Sequence, residues 1–422
     1  MNRCHSRRRF LARAGALAAL AAGARPLLEF NSLAAGKLPM AEAFDREMEQ
    51  FMSARKVPGG ALAVVKDQRL VYARAYGWAD RENKDPVKPD SLFRIASISK
   101  PFTAAAVLKL VETKGLDLET PVTEFLSFKP VLANGKTADP RWKRITLRHC
   151  LHHTGGWDRD VSGDPMFRSL ETARAVGVPA PAGAEAIVRY MLGQPLDFDP
   201  GARYAYSNFG YCLLGRVIER LGGQPYEQFV REEVLAPMGI RRMRLGASLE
   251  GGRLEGEVRY YTPDARQAPS VFPGLPAKVP EPYGSFCLEA LDAHGGWVAS
   301  APDLARFAAI LDTPGDSTCL KPDTRRFLYE PPTPPVSRNP DGSLADHFYG
   351  CGWLVRPVGK LGRANYWHNG SLPGTFSLLV RRFDGLSWAV LFNQRSESSS
   401  LPDLAIDSAL HRAADVVGQW PP

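Results

Sequence analysis

Apolar runs with strand-like spacing stand near the start of the chain and again near its end. Residues Gly60 to Lys66 (GALAVVK) and Arg69 to Tyr76 (RLVYARAY) predict two strands joined across Asp67-Gln68. Residues Thr375 to Arg382 and Leu386 to Phe392 predict a second hairpin, turning through Phe383-Asp384-Gly385, with Tyr349 to Val355 as a further strand. Between these ends the apolar period lengthens to that of a helix over Thr103–Lys114, Tyr211–Leu221, Tyr226–Met238 and Pro302–Leu311. Ser300 stands where an N-cap belongs, with Asp303 in the first turn. The pattern predicts one antiparallel sheet built from both parts of the chain, with a helical block inserted between them. Two Pro/Gly-rich stretches, Pro263 to Gly284 and Pro331 to Gly342, read as surface loops, and the first is long enough to line a site. No internal repeat is present.

Composition leaves this picture intact: 44% hydrophobic and 23% charged residues over 422 positions describe a globular chain with a large core. The net charge of +8 is concentrated at the start, where Arg3, Arg7, Arg8, Arg9 and Arg13 precede any acid. Setting aside these five arginines takes +8 to +3, and no basic stripe interleaved with aromatics follows, so a nucleic-acid partner is not expected. Arg7-Arg8-Arg9, an alanine-rich run from Ala14 to Ala24 and the small residues Ala22-Gly23-Ala24 form a twin-arginine export pattern over residues 1–24. The run is too short for a comfortable bilayer span, so a periplasmic or secreted protein without a stable membrane anchor is expected. Outside that segment, Cys150, Cys212, Cys287, Cys319 and Cys351 are odd in number and form no C-x-x-C, which signals neither a zinc site nor a disulfide framework.

The candidate chemistry begins at Ser97-Ile98-Ser99-Lys100. A serine hydroxyl needs an adjacent base to act as a nucleophile, and residues three apart share a helix face. Pro101 requires the helix to start close to Ser97, which places the hydroxyl where free N–H groups favour negative charge. The spacing alone does not choose, because Ser53-Ala54-Arg55-Lys56 repeats it. Only Ser97 is followed by an apolar helix, Phe102 to Leu110, able to bury Lys100 and lower its pKa toward a neutral amine base.

Tyr206-Ser207-Asn208 is the one Y-x-N of the chain, offering a proton-relaying phenol and an amide that can orient a carbonyl or the lysine. A turn leading into a helix near Asn208 accounts for the same residues. A strand beside the nucleophile is then needed, and His368-Asn369-Gly370 fits. His294-Gly295-Gly296 and His153-Thr154-Gly155 share the H-x-G spacing, but His368 leads into strand-like sequence through Ser371. A satisfied structural histidine fits each of the three. The cluster His149, His152, His153 lacks a carboxylate at ligand spacing, so neither metal nor cofactor is expected.

Taken in order, Val57-Pro58-Gly59, Leu92 to Thr103, Ile145 to Gly155, Pro200 to Asn208 and Gly295 to Phe307 resemble the serine β-lactamases, penicillin-binding D-alanyl peptidases and their esterase relatives, in particular the class C-like branch. The resemblance implies a β-lactamase/transpeptidase-like α/β (α+β) fold, an antiparallel sheet flanked by helices with a mostly helical second domain. It implies a discontinuous sheet domain over 40–105 and 290–422 and a helical domain over 106–289. Carried over by residue, Ser97 resembles the acylated nucleophile, Lys100 and Tyr206 the acid/base pair, and Asn208 the carbonyl-orienting amide. Gly370 lies in the third motif, and the N–H groups of Ser97 and Ser371 resemble the oxyanion hole. Where relatives carry K-T-G this chain has His368-Asn369-Gly370, and a histidine neutral at pH 7 suits a substrate carboxylate poorly. Hydrolysis of carboxylic esters or amides is therefore expected. The alternatives are a β-lactamase or D-alanyl-D-alanine carboxypeptidase acting on β-lactams or D-peptides at the cell wall, and a non-catalytic penicillin-binding-like sensor.

Overall fold

The computed structural model describes residues 39–132, 137–311, 319–339, 341–343, 345–359 and 363–421. The expected export segment, residues 1–24, lies outside them. Among the described residues no helix is long and apolar enough to cross a membrane.

The chain first forms helix α1 (Met40–Arg55), then strands β1 (Gly59–Lys66), β2 (Arg69–Asp80) and β3 (Asp85–Pro86). Asp67 and Gln68 both take positive φ, 47° and 68°, as a two-residue hairpin turn requires. The far side of β1 pairs with Leu386–Phe392, so that Gly60 meets Phe392. Beyond it follow Thr375–Arg381, Arg363–Leu372, Leu354–Val358 and Phe348–Tyr349, all antiparallel, closing a sheet of eight strands.

Nearly all of β1 is buried, because both faces of the sheet are covered. Leu62 and Val64 join Trp388, Val390 and Phe392 under α1 and the helix Ala405–Val416. Ala61, Ala63 and Val65 point the other way, where small side chains admit the helix Ala301–Ile310 close to the sheet. Ser300 caps that helix, accepting from the Asp303 N–H at 3.3 Å, as its sequence position predicts. Each fully buried side chain such as Phe44 or Met48 contributes roughly 1.5–3 kcal/mol to this layering.

Helix α2 (Ser99–Lys114) lies on the same side as Ala301–Ile310 and is buried around its whole circumference from Ser99 to Leu108. It is enclosed by Asn208–Gly222, Asp292–Gly295 and Val230–Leu235. Gly115, at φ 64°, ends it in a left-handed cap.

Two sequence expectations are corrected, for Tyr349 to Val355 and Pro263 to Gly284, and the helix over Tyr226 to Met238 is borne out with a change of type along it. The strand expected over Tyr349 to Val355 is two strands, Phe348–Tyr349 and Leu354–Val358, folded back on each other. Gly352, at φ 80°, makes the reversal, and a Cβ there would stand 3.0 Å from the Lys100 carbonyl oxygen. The helix expected over Tyr226 to Met238 starts as α (Tyr226–Phe229), widens to π (Val230–Leu235) and closes as 3₁₀ (Ala236–Met238), ending around Pro237, which has no N–H to donate. The stretch Pro263 to Gly284 contains a ribbon, Gln267–Pro269 with Lys278–Pro280. Pro282, two residues beyond the ribbon, accepts from the buried Arg94 guanidinium at 2.6 Å, so this segment braces the approach to Ser97 and is absent from the cleft lining.

Candidate active site

From position 91 to position 108, Ser97 alone is not buried. Its presentation is local. A 3₁₀ turn, Ala96–Ile98, precedes α2, and Ala96 is held at φ 46°, a left-handed conformation that costs a residue with a Cβ about 1–2 kcal/mol. Pro101 falls in the first turn of α2, where a missing N–H leaves no bond unmade. By contrast Ser53 and Lys56 are both exposed, and Lys56 has already left the helix in a left-handed cap.

Lys100 is completely buried. Its Nζ lies 3.2 Å from Ser97 Oγ, 2.8 Å from Asn208 Oδ1 and 2.9 Å from the His294 carbonyl oxygen. Burial holds its pKa well below the ordinary lysine value, the negative charge of Asp164 opposing the shift and the positive charge of Arg159 adding to it. Tyr206 shares a hydrogen bond with Ser97, and its ring lies 4.8 Å from Lys100 Nζ. Burial raises the Tyr206 pKa, so proximity to a basic group does not ionise it and it remains a phenol.

Tyr206 and Asn208 are set by one cap. Ser207 accepts from the Gly210 N–H to begin the helix Asn208–Gly222 and donates its own N–H to His153 Nδ1 at 3.1 Å. Asn208 faces Lys100 with its amide oxygen and donates from Nδ2 to Asp164 Oδ2 at 2.6 Å. Asp164 also accepts from the Met166 N–H at 3.1 Å, and burial raises its pKa. Asp164 had no place in the motif reading. Its sequence signal, an Asp-Pro pair starting a 3₁₀ turn, reads as a cap only.

The third motif divides. Gly370 packs so closely on the turn that bears Ser97 that a Cβ would stand 2.0 Å from the Ile95 carbonyl oxygen. The hairpin closes through Pro373-Gly374, so antiparallel alternation leaves the Ser371–Phe376 pair without mutual hydrogen bonds. The Ser371 N–H therefore points off the other edge, where Leu354–Val358 pairs only as far as Trp367. The His368 ring is buried, its Nε2 2.9 Å from the Tyr349 hydroxyl and its Nδ1 2.6 Å from the Asn369 carbonyl oxygen. Burial lowers its pKa to about 3, so the ring is neutral. Its ring centre lies 6.4 Å from that of Tyr206, and it does not line the cleft. The weighed alternative His294 does, and its backbone holds Lys100.

The cleft measures about 110 Å³ and is lined by Ser97, Arg159, Asp164, Phe167, His294 and Ser371 among others. Among the described residues no group of three His, Cys, Asp or Glu could hold a metal. His149 instead closes a capping box with Thr146, and His152 approaches Cys351 Sγ at 3.4 Å. All five described cysteines are free and buried.

Gly370→Ala tests the close approach. The strand or the Ile95 peptide must shift, and kcat is expected to fall about 10- to 100-fold with a lower melting temperature. Unchanged steady-state kinetics would show that the strand's position is irrelevant to the serine.

Comparisons with known proteins bear on the family and the fold. The sequence profile of the family described as Beta-lactamase matches residues 44–412. Penicillin-binding protein 4* of Bacillus subtilis (strain 168) is 26% identical over 356 residues, covering 83% of this chain and 71% of that protein. Esterase EstB of Burkholderia gladioli is 34% identical over 206 residues, a match confined to 48% of this chain and 50% of that protein. The octameric penicillin-binding protein homologue from Pyrococcus abyssi superposes with a TM-score of 0.66 at 25% identity, covering 89% of this chain and 78% of that one. D-amino acid amidase from Ochrobactrum anthropi SV3, at 23% identity, shares the fold with a TM-score of 0.66 over 90% of this chain and 98% of its own.

Proposed function

The chain belongs to the beta-lactamase family, with the β-lactamase/transpeptidase-like fold its sequence resemblance implied, and from that premise we propose that this serine hydrolase is an exported carboxylic-ester hydrolase acting through an acyl-enzyme on Ser97.

The observation that carries the mechanism is the company of Lys100 Nζ. Two neighbours, Asn208 Oδ1 and the His294 carbonyl, can only accept hydrogen bonds, whereas the third, Ser97 Oγ, bears a proton it can donate. A neutral amine has two N–H groups and one lone pair, which fits this set with the lone pair directed at the serine. Ser97 then attacks the ester carbonyl as Lys100 takes its proton. The Ser97 and Ser371 N–H groups receive the oxyanion, and the phenol Tyr206 supplies a proton to the departing alkoxide and regains one from the Lys100 ammonium, which restores both groups for deacylation. Asn208 and Asp164 hold the lysine in place. Water repeats the sequence to release the acid. The sheet domain (40–105 with 290–422) and helical domain (106–289) are proposed as the two walls, a division supported by Ser97, His294 and Ser371 facing Arg159, Asp164 and Phe167.

Esters are favoured over β-lactams and D-peptides because His368 is neutral and enclosed, leaving no ammonium on the strand wall for a substrate carboxylate. The likeness to EstB supports the same choice. Export rests on the twin-arginine pattern of residues 1–24. The test sets 4-nitrophenyl acetate beside a chromogenic cephalosporin, a D-Ala-D-Ala peptide and a D-amino acid amide. A burst of nitrophenol equal to the enzyme concentration, followed by turnover, is expected. Efficient turnover of the cephalosporin or D-peptide with none of the ester would overturn the substrate class.

The pH dependence follows from the same base. Activity requires neutral Lys100, so kcat/KM should rise with pH through its pKa. Asp164 raises that pKa and Arg159 lowers it. Asp164→Asn should therefore move the acidic limb to lower pH and Arg159→Gln should move it to higher pH. Shifts in one common direction would remove Lys100 from the role of base.

A further inference from the structure

Among the charged groups that line the cleft, one has no partner. Arg159 is half-buried, with its guanidinium carbon 4.9 Å from the centre of the Tyr206 ring. No hydrogen bond or ion pair engages it among the described residues. The acids around it are committed elsewhere. Asp158 binds Arg203 at 2.7 Å and the Asp160 N–H at 2.9 Å. Asp164 uses one oxygen for Asn208 and the other for Met166. The other arginine at the cleft's edge, Arg395, which reaches Ser371 Oγ at 3.4 Å, is paired with Glu397 at 2.6 Å.

We propose that Arg159 is a recognition site for a second, anionic group on the substrate, so that the preferred esters carry a carboxylate close to the scissile bond. This rests on the ester-hydrolase reading above and adds to it a substrate class. The cation–π contact with Tyr206 holds the guanidinium over the ring and engages none of its N–H donors, and their fork matches the two oxygens of a carboxylate. The small cleft, about 110 Å³, brings Arg159 and Ser97 into one space, so a short substrate reaches both. The cation thus stands on the helical wall, opposite the strand on which His368 is neutral.

Two pairs of esters test it, each matched in shape and differing in charge. For the acyl side these are 4-nitrophenyl butyrate and mono-4-nitrophenyl succinate. For the leaving side they are 4-acetylphenyl acetate and 4-acetoxybenzoate. In the wild-type enzyme the anionic member of at least one pair should have the higher kcat/KM, and the pair that shows it identifies which side of the scissile bond faces Arg159. Arg159→Gln should lower the anionic-to-neutral ratio about 10- to 100-fold, and Arg159→Glu should lower it further. Added salt should erode the ratio in the wild type but not in Arg159→Gln. Any effect of Arg159 on Lys100 is common to both members of a pair and cancels in the ratio. Ratios near one in both wild-type pairs, or ratios unmoved by either substitution, overturn the assignment while leaving the esterase reading intact. Absence of a burst with the neutral esters would instead overturn the reading beneath it.

Discussion

Lys100→Met is expected to slow acylation about 1,000- to 10,000-fold while leaving a folded protein. Methionine approximates the length of the lysine stem and fills an apolar helix environment without a polar head, so the packing of α2 is kept. What disappears is the lone pair beside Ser97 Oγ. The loss should appear in the burst rate with 4-nitrophenyl acetate, and the acidic limb of the pH profile assigned to the lysine should vanish with it. Two acceptors, Asn208 Oδ1 and the His294 carbonyl, lose a donor, which costs stability. Removing a desolvated amine works in the opposite direction, so only a modest change in melting temperature is expected. A Lys100→Met enzyme with a wild-type burst rate would show that another group takes the proton.

Ser97→Ala should have a still larger effect, at least about 10,000-fold in kcat, with no burst and no covalent adduct after treatment with a fluorophosphonate. Intact-mass and peptide mass spectrometry would check both points, the wild-type adduct mapping to the peptide containing Ser97. Ser53→Ala, which alters the other S-x-x-K, should behave as wild type because Ser53 is exposed on α1, away from the cleft. Loss of activity in Ser53→Ala with retention in Ser97→Ala would reverse the assignment.

The features legible in the sequence are those decided within a turn or two of chain. The nearness of Ser97 and Lys100 follows from helical spacing and from Pro101, and the Ser300 cap from the residues after it. The pairing of early with late strands was also readable, because both sets carry apolar runs that need covering on two faces. Features decided by distant segments were not readable. Asp164 meets Asn208 across 44 residues of chain, and nothing near either residue announces the contact. The reversal at Gly352 takes a positive φ with no room for a Cβ beside the Lys100 carbonyl and Ala104, a packing set by α2 that the run from Tyr349 to Val355 does not itself announce. For His368 the strand was readable but the surroundings of the ring were not. Tyr349, from a neighbouring strand pair, closes over it and takes its free nitrogen. His294 matched the same spacing, yet its contribution to Lys100 comes from the main chain, which no side-chain motif can encode.

The pairing of β1 with Leu386–Phe392 has a consequence for the order of events during synthesis. Gly60 and Phe392 lie more than three hundred residues apart, and the strand bearing Gly370 and Ser371 takes its place beside β1 only through the two strands that follow it. The helix that follows Ser97 is made early, but the strand packed against its start emerges from the ribosome late. Folding dominated by such distant contacts is slow, and a nascent chain can hold Ser97 and Lys100 without the opposite half of the site. The hydrolase is therefore expected to be silent until translation has passed residue 392, because a chain cut short of that point lacks the strand that joins β1–β3 to the strands between Phe348 and Arg381.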